Sequence, residues 1–99
     1  RFRRIIMSKT RATTLCKKLN AAFPNIDAVP YNEFTGEDKV EQDGIWLKGS
    51  EDIDKDGLPY FDYWSMTGSQ YHEGVEAMAD KHGFYCEPYD AGTLMLWRL

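Results

Sequence analysis

The chain has 99 residues, of which 42% are hydrophobic, and its 16 acidic and 12 basic side chains give a formal net charge of −4. This length supports one hydrophobic core and excludes two independently folded domains. No apolar run approaches the roughly 20 residues that span a bilayer, and no stretch has the pattern of a secretory signal. We therefore expect a cytoplasmic protein that has no membrane partner.

The charge is distributed unevenly along the chain. Seven basic residues and no acid precede residue 19, whereas the rest of the chain holds 5 bases and 16 acids. We expect residues 1–7 to form a basic tail that is disordered or foreign to the native chain, and residues 8–99 to form a single domain. The body of that domain would repel a polyanion, so its charge disfavours direct nucleic-acid binding.

The first predicted elements are a helix and a short strand. Apolar residues at the 3.6-residue period predict a helix that begins at Ser8 or Thr10 and ends at Ala22. Residues 26–31 predict a strand, and Pro30 favours an edge position in the sheet because proline cannot donate a hydrogen bond to a neighbouring strand.

An acidic region follows, and one predicted strand interrupts it. Residues 32–57 contain nine acids and three lysines, and the apolar alternation of residues 44–48 predicts a short strand between two loops. We expect the loops to form an acidic rim around a binding surface. The predicted rim residues are Glu33, Glu37, Asp38, Glu41, Asp43, Glu51 and Asp52.

The end of this region carries the pattern D-x-D-x-D-G, formed by Asp52, Asp54, Asp56 and Gly57. Alternate carboxylates followed by a glycine begin the EF-hand type of calcium loop. The second half of such a loop is missing, since Tyr63 stands where a bidentate glutamate would be required. A tight turn is the favoured interpretation, and a calcium or small-ligand site formed by the three aspartates is an alternative.

The C-terminal part predicts strand, helix, strand, turn and strand in immediate succession. Residues 58–65 are aromatic and extended, and residues 70–82 have a helical stripe. Residues 84–89 and 93–99 alternate as strands around Asp90-Ala91-Gly92. We expect a three-residue hairpin loop in which the glycine adopts a positive φ.

The predicted C-terminal helix determines how its flanking strands pair. Thr67 or Ser69 is expected to be its N-cap, and Gly83 is expected to follow it in the left-handed conformation. The short connections on both sides imply a right-handed crossover, which would make residues 58–65 parallel to residues 84–89.

These elements predict an α+β fold of order α-β-β-β-α-β-β. Two helices would pack on one face of a mixed, mainly antiparallel sheet of four to five strands. The tetrapeptides Val29-Pro30-Tyr31-Asn32 and Glu87-Pro88-Tyr89-Asp90 follow the two helices at similar distances. They indicate an α-β-β repeat about a pseudo-twofold axis, with a chance match in an aromatic-rich chain as the alternative.

The hairpin register predicts an apolar surface on the sheet face that lies away from the helices. Tyr85, Tyr89, Met95 and Trp97 share that face. No predicted element covers it, so we expect it to contact a protein partner or a second copy of the chain.

No recognised catalytic or metal-binding pattern is present in the sequence. His72 and His82 are ten residues apart, and Cys16 and Cys86 lack a C-x-x-C partner. Both cysteines lie on predicted core faces, where cysteine usually behaves as a small hydrophobic residue. We expect neither enzymatic activity nor a cofactor.

The leading functional hypothesis is a small acidic protein-binding module without enzymatic activity. One form of it is an inhibitor of a basic nucleic-acid-binding protein, because carboxylates can occupy the places of phosphates. The alternatives are a homodimeric structural or accessory protein, and the calcium or small-ligand site described above.

Overall fold

The computed structural model describes residues 11–35, 43–65 and 70–99. Three helices and four strands form in these parts of the chain, which confirms the predicted α+β class. In chain order they are α1 (Ala12–Ala22), β1 (Ala28–Pro30), α2 (Tyr31–Thr35), β2 (Gly44–Leu47), α3 (Glu73–Lys81), β3 (Phe84–Asp90) and β4 (Thr93–Arg98). The predicted tail, residues 1–7, lies outside the described residues.

The four strands form an antiparallel sheet of order β1-β2-β4-β3. The edge position of β1 agrees with the prediction from Pro30. The predicted parallel pairing of residues 58–65 with β3 is wrong, and the sheet is not mixed. Residues 58–65 instead bond to loops on both sides of them: the Tyr60 N–H donates to Asp52 O, and its C=O accepts from His72 N. These local bonds occupy main-chain groups that a strand crossing to the sheet would have needed.

Helices α1 and α3 pack on the same face of the sheet, as predicted. Alternate strand residues point to this face because side chains of a strand alternate between its two sides. The buried cluster between the layers includes Leu15, Leu19, Ile45, Leu47, Val75, Ala79, Phe84, Leu94 and Leu96. Each large side chain buried here stabilises the fold by roughly 1.5–3 kcal/mol.

The β3–β4 hairpin confirms most of the predicted register. Five consecutive pairs, from Phe84 with Arg98 to Pro88 with Leu94, are those predicted. The turn differs, because Asp90 rather than Tyr89 pairs with Thr93 and the register shifts between Pro88 and Asp90. The loop is therefore one residue shorter than expected, and its glycine does not adopt a positive φ.

The sheet has the symmetry that an α-β-β repeat requires. Strands β2 and β4 are antiparallel neighbours at the centre, and β1 and β3 form the two edges. A local twofold axis at the Trp46–Met95 pair relates Ile45 of β2 to Leu94 of β4. Pro30 lies opposite Ile45, and Pro88 lies opposite Leu94. The two Pro-Tyr sequences therefore occupy equivalent places at opposite edges, and only the first continues into an additional helix, α2.

Candidate functional site

The predicted aromatic face is partly open and partly covered. The exposed fractions are 42% for Tyr85 and 59% for Tyr89, but only 1% for Met95. Trp97 is half-buried, and the Tyr31 ring packs edge-on against it at 4.7 Å between ring centroids. Met95 is therefore not available to a partner in this conformation. The short helix α2, which the sequence analysis did not predict, places Tyr31 against this face of the sheet.

A first cavity lies beside the remaining open part of this face. It has a volume of about 270 Å³ and is lined by Asp43, Tyr85, Glu87, Trp97 and Arg98. The Arg98 guanidinium bonds to Asp43 at 2.6 Å, so one of the two carboxylates here is neutralised.

The predicted acidic rim is only partly next to this cavity. Asp43 lines it, whereas Glu33, Glu51 and Asp52 are exposed elsewhere. Glu37, Asp38 and Glu41 lie outside the described residues.

A second and more acidic groove runs between α3 and the outer edge of β3. Its volume is about 430 Å³. The lining residues are Glu73, Glu76, Ala77, Asp80, Phe84, Tyr85 and Cys86. Three carboxylates and no basic side chain contribute to this lining, so the groove favours a cationic occupant.

The carboxylates of this groove are not among the predicted rim residues. Glu73, Glu76 and Asp80 follow helical spacing on the polar side of α3, which is the signal that could have found them. That spacing shows that the three share one side of a helix. Only the packing of α3 on the sheet shows that this side borders β3.

His72 and Asp54 form a nearly buried pair beneath the N-terminus of α3. Their side chains are 10% and 9% exposed, and His72 Nε2 lies 2.7 Å from Asp54 Oδ2. His72 Nδ1 accepts hydrogen bonds from Gly74 N at 3.1 Å and Val75 N at 3.2 Å, so His72 is the N-cap of α3. The predicted N-cap, Thr67 or Ser69, is therefore wrong, and both residues lie outside the described parts of the chain. An unprotonated Nδ1 places the imidazole proton on Nε2, which donates to Asp54.

Asp54 is also the acceptor that organises the turn of residues 54–58. Its Oδ1 accepts hydrogen bonds from the main-chain N–H groups of Asp56 at 2.8 Å and Leu58 at 2.9 Å. The pKa of the Asp54 carboxyl is lowered, mainly because His72 donates to it and further because these two amides do. The pattern of alternate aspartates thus forms a turn, as the favoured interpretation expected.

These bonds argue against a calcium site at residues 52–57. Both carboxylate oxygens of Asp54 are already acceptors for protein donors. Within residues 11–35, 43–65 and 70–99, no group of three or more histidine, cysteine or acidic side chains could hold a metal ion. Asp52, Asp54 and Asp56 are therefore not arranged as a calcium-binding group in this structure.

Three titratable side chains, those of His72, Cys16 and Cys86, are poorly suited to catalysis. Both ring nitrogens of His72 are engaged, so neither can take a proton from a substrate. Burial raises the pKa of Cys16 and of Cys86 to about 12, which keeps both thiols protonated and poorly nucleophilic. Both are free cysteines, consistent with their predicted role as hydrophobic residues.

The lowered pKa of Asp54 predicts a pH-dependent contribution to stability. The ionised carboxylate stabilises the fold above its ordinary pKa of 3.8, and this contribution is lost as the pH falls through the lower pKa of the folded state. Asp54→Asn should be less stable than the native chain at neutral pH, because its amide adds a donor where only acceptors fit. Urea midpoints measured from about pH 6 to pH 3 should show the difference shrinking. A difference that stays constant over this range would contradict the assignment.

No helix in the described parts of the chain has the length and hydropathy needed to cross a lipid bilayer. Comparison with protein-family models, curated proteins and solved structures finds no match to this chain.

Proposed function

We propose that this protein is a non-enzymatic binding module that receives a basic segment of a partner protein. The observation that carries the proposal is the groove between α3 and β3, which Glu73, Glu76 and Asp80 line on the helix side and Cys86 lines on the strand side. Carboxylates attract a cationic partner and set its orientation.

The class of partner follows from the charge of the groove. Lysine and arginine side chains carry long apolar stems beneath their charged groups, so they can cover the apolar lining at Ala77 and Cys86 and still reach the carboxylates. A nucleic-acid-binding protein presents such side chains on the surface that contacts phosphates. A module that binds this surface would compete with nucleic acid, which is the inhibitor form of the proposal.

Self-association through the same groove is disfavoured by its charge. Two copies related by a twofold axis would bring like carboxylate clusters together, which costs free energy unless cations intervene. A partner of opposite charge meets no such repulsion.

The test compares two variants that have the same change in charge. The groove variant carries Glu73→Gln, Glu76→Gln and Asp80→Asn, and the control variant carries Glu51→Gln, Asp52→Asn and Asp56→Asn. Fluorescence anisotropy with a labelled lysine peptide of about 20 residues should show at least about tenfold weaker binding for the groove variant, and a change of less than about threefold for the control. Circular dichroism checks that both variants fold.

Two results would contradict the proposal. One is failure of the native chain to bind the lysine peptide at low salt, where attraction between opposite charges is strongest. The other is an equal loss in both variants, which would mean that only the net charge matters. The inhibitor form is tested separately, by displacement of a labelled DNA duplex from the same peptide.

A further inference from the structure

The two edges of the sheet are closed to different extents. At the β1 edge, the bond from Lys48 N to Asp27 O fixes which residues face β2, so Ala28 and Pro30 point outward. Asn20 of α1 satisfies both outward groups of Ala28: its Nδ2 donates to Ala28 O at 3.0 Å, and its Oδ1 accepts from Ala28 N at 2.7 Å. Pro30 has no N–H. The β1 edge is therefore closed to a further strand.

At the β3 edge, the corresponding outward main-chain groups remain available to a further strand. The bond from Leu99 N to Gly83 O places the main-chain groups of Tyr85 and Glu87 toward β4, so those of Phe84, Cys86 and Pro88 point outward. In the described part of the chain, β3 pairs only with β4, and no residue bonds to the outward N–H or C=O of Cys86.

The two edges differ in the helical side chain that lies next to each of them. The local twofold axis relates β1 to β3, and thereby Ala28 to Cys86 and Pro30 to Pro88. Leu19 is the last buried residue of α1 and Ala79 is the last buried residue of α3, and the next residue is Asn20 in the first helix but Asp80 in the second. An amide can donate and accept at once, whereas an ionised carboxylate only accepts. Asp80 therefore cannot close the β3 edge as Asn20 closes β1, and it lines the open groove instead.

We infer that the basic segment binds by strand addition, as a fifth strand alongside residues 84–87 of β3. This inference rests on the proposed function and adds its binding mode. Main-chain bonds to the outward groups of Phe84 and Cys86 would provide affinity for an extended chain. Alternate side chains of the added strand would enter the acidic groove, where Glu76 and Asp80 select lysine or arginine. Pro88 and the register shift that follows it limit the pairing to the first half of β3.

The test uses a decapeptide that alternates lysine with threonine, together with two methylated forms of it. One form carries N-methyl groups on every lysine amide and the other on every threonine amide. In an added strand, one set of amides faces β3 and the other faces solvent. One methylated form should therefore bind at least about tenfold more weakly than the parent, while the other stays within about threefold.

A matched pair of substitutions in the domain itself tests the same edge. Cys86→Pro removes the outward N–H and should weaken binding of the parent peptide at least about tenfold, whereas Cys86→Ala keeps this donor and should weaken binding much less than Cys86→Pro does. If Cys86→Pro does not fold, the methylated peptides still decide the question.

Several results would overturn strand addition. These are equal binding of the two methylated forms, failure of the parent decapeptide to bind, and a concentration-dependent dimer that Cys86→Pro abolishes while the peptide does not bind. If the longer lysine peptide still binds through the groove carboxylates, the proposed function stands and only its binding mode is wrong. If the native chain binds neither peptide, both the proposed function and its binding mode are contradicted.

Discussion

Gly49→Ala is expected to destabilise the domain by more than about 4 kcal/mol, which places it among the most damaging single changes. A Cβ at this position would overlap the main-chain oxygen of Asn25 and lie 2.9 Å from that of Ile26. The two segments are held together by the bond from Gly49 N to Ile26 O at 2.8 Å, so the backbone cannot move apart without losing it. Urea unfolding followed by tryptophan fluorescence measures the effect.

The matched control is Gly92→Ala in the β3–β4 turn. There the nearest atom to a new Cβ is Glu51 Oε2 at 2.8 Å, which belongs to the end of a flexible, exposed side chain. Because this side chain can move aside, we expect a loss below about 1 kcal/mol. If Gly49→Ala and Gly92→Ala unfold at similar urea concentrations, the close approach at Gly49 does not limit stability.

Ser50→Ala is expected to destabilise the domain by about 1–3 kcal/mol, because it leaves the buried Leu94 N–H without an acceptor, whereas Leu47 O keeps the bond from Ser50 N. Ser50 is 1% exposed, and its hydroxyl accepts from Leu94 N at 2.9 Å and donates to Leu47 O. Leu47 and Leu94 are paired residues at the end of the β2–β4 ladder. The hydroxyl thus bridges the ladder where the central strands begin to separate.

Hydrogen exchange provides a local measurement of this bridge. The amide of Leu94 should exchange faster in Ser50→Ala than the global loss of stability explains, because its acceptor is removed. Thr14→Ala removes a hydroxyl from the exposed side of α1 and should change stability by less than about 0.5 kcal/mol. Unchanged protection of Leu94 would mean that another acceptor replaces the serine.

The local patterns of the sequence predicted most elements correctly. Apolar periodicity identified α1, α3 and the four strands, since the burial of one face imposes that periodicity. The β3–β4 register followed from the short turn, and the Pro-Tyr repeat marked the two equivalent edges. The wrong strand prediction concerns a segment whose main-chain N–H and C=O groups can bond either to the sheet or to nearby loops. Residues 58–65 have the composition of a strand, yet they bond to neighbouring loops instead of the sheet.

The candidate site was less predictable, because it depends on which surfaces meet in the folded chain. The sequence alone determined an acidic domain with aromatic side chains on one face of a hairpin, since composition and alternation are local properties. Tertiary structure decided that Tyr31 of α2 packs on Trp97, that Met95 is buried, and that the carboxylates of α3 border β3. It also decided that Asn20 bonds to the edge strand β1 while Asp80 leaves the edge of β3 open. Such a bond forms only when packing brings the helix side chain within hydrogen-bonding distance of the strand's main chain.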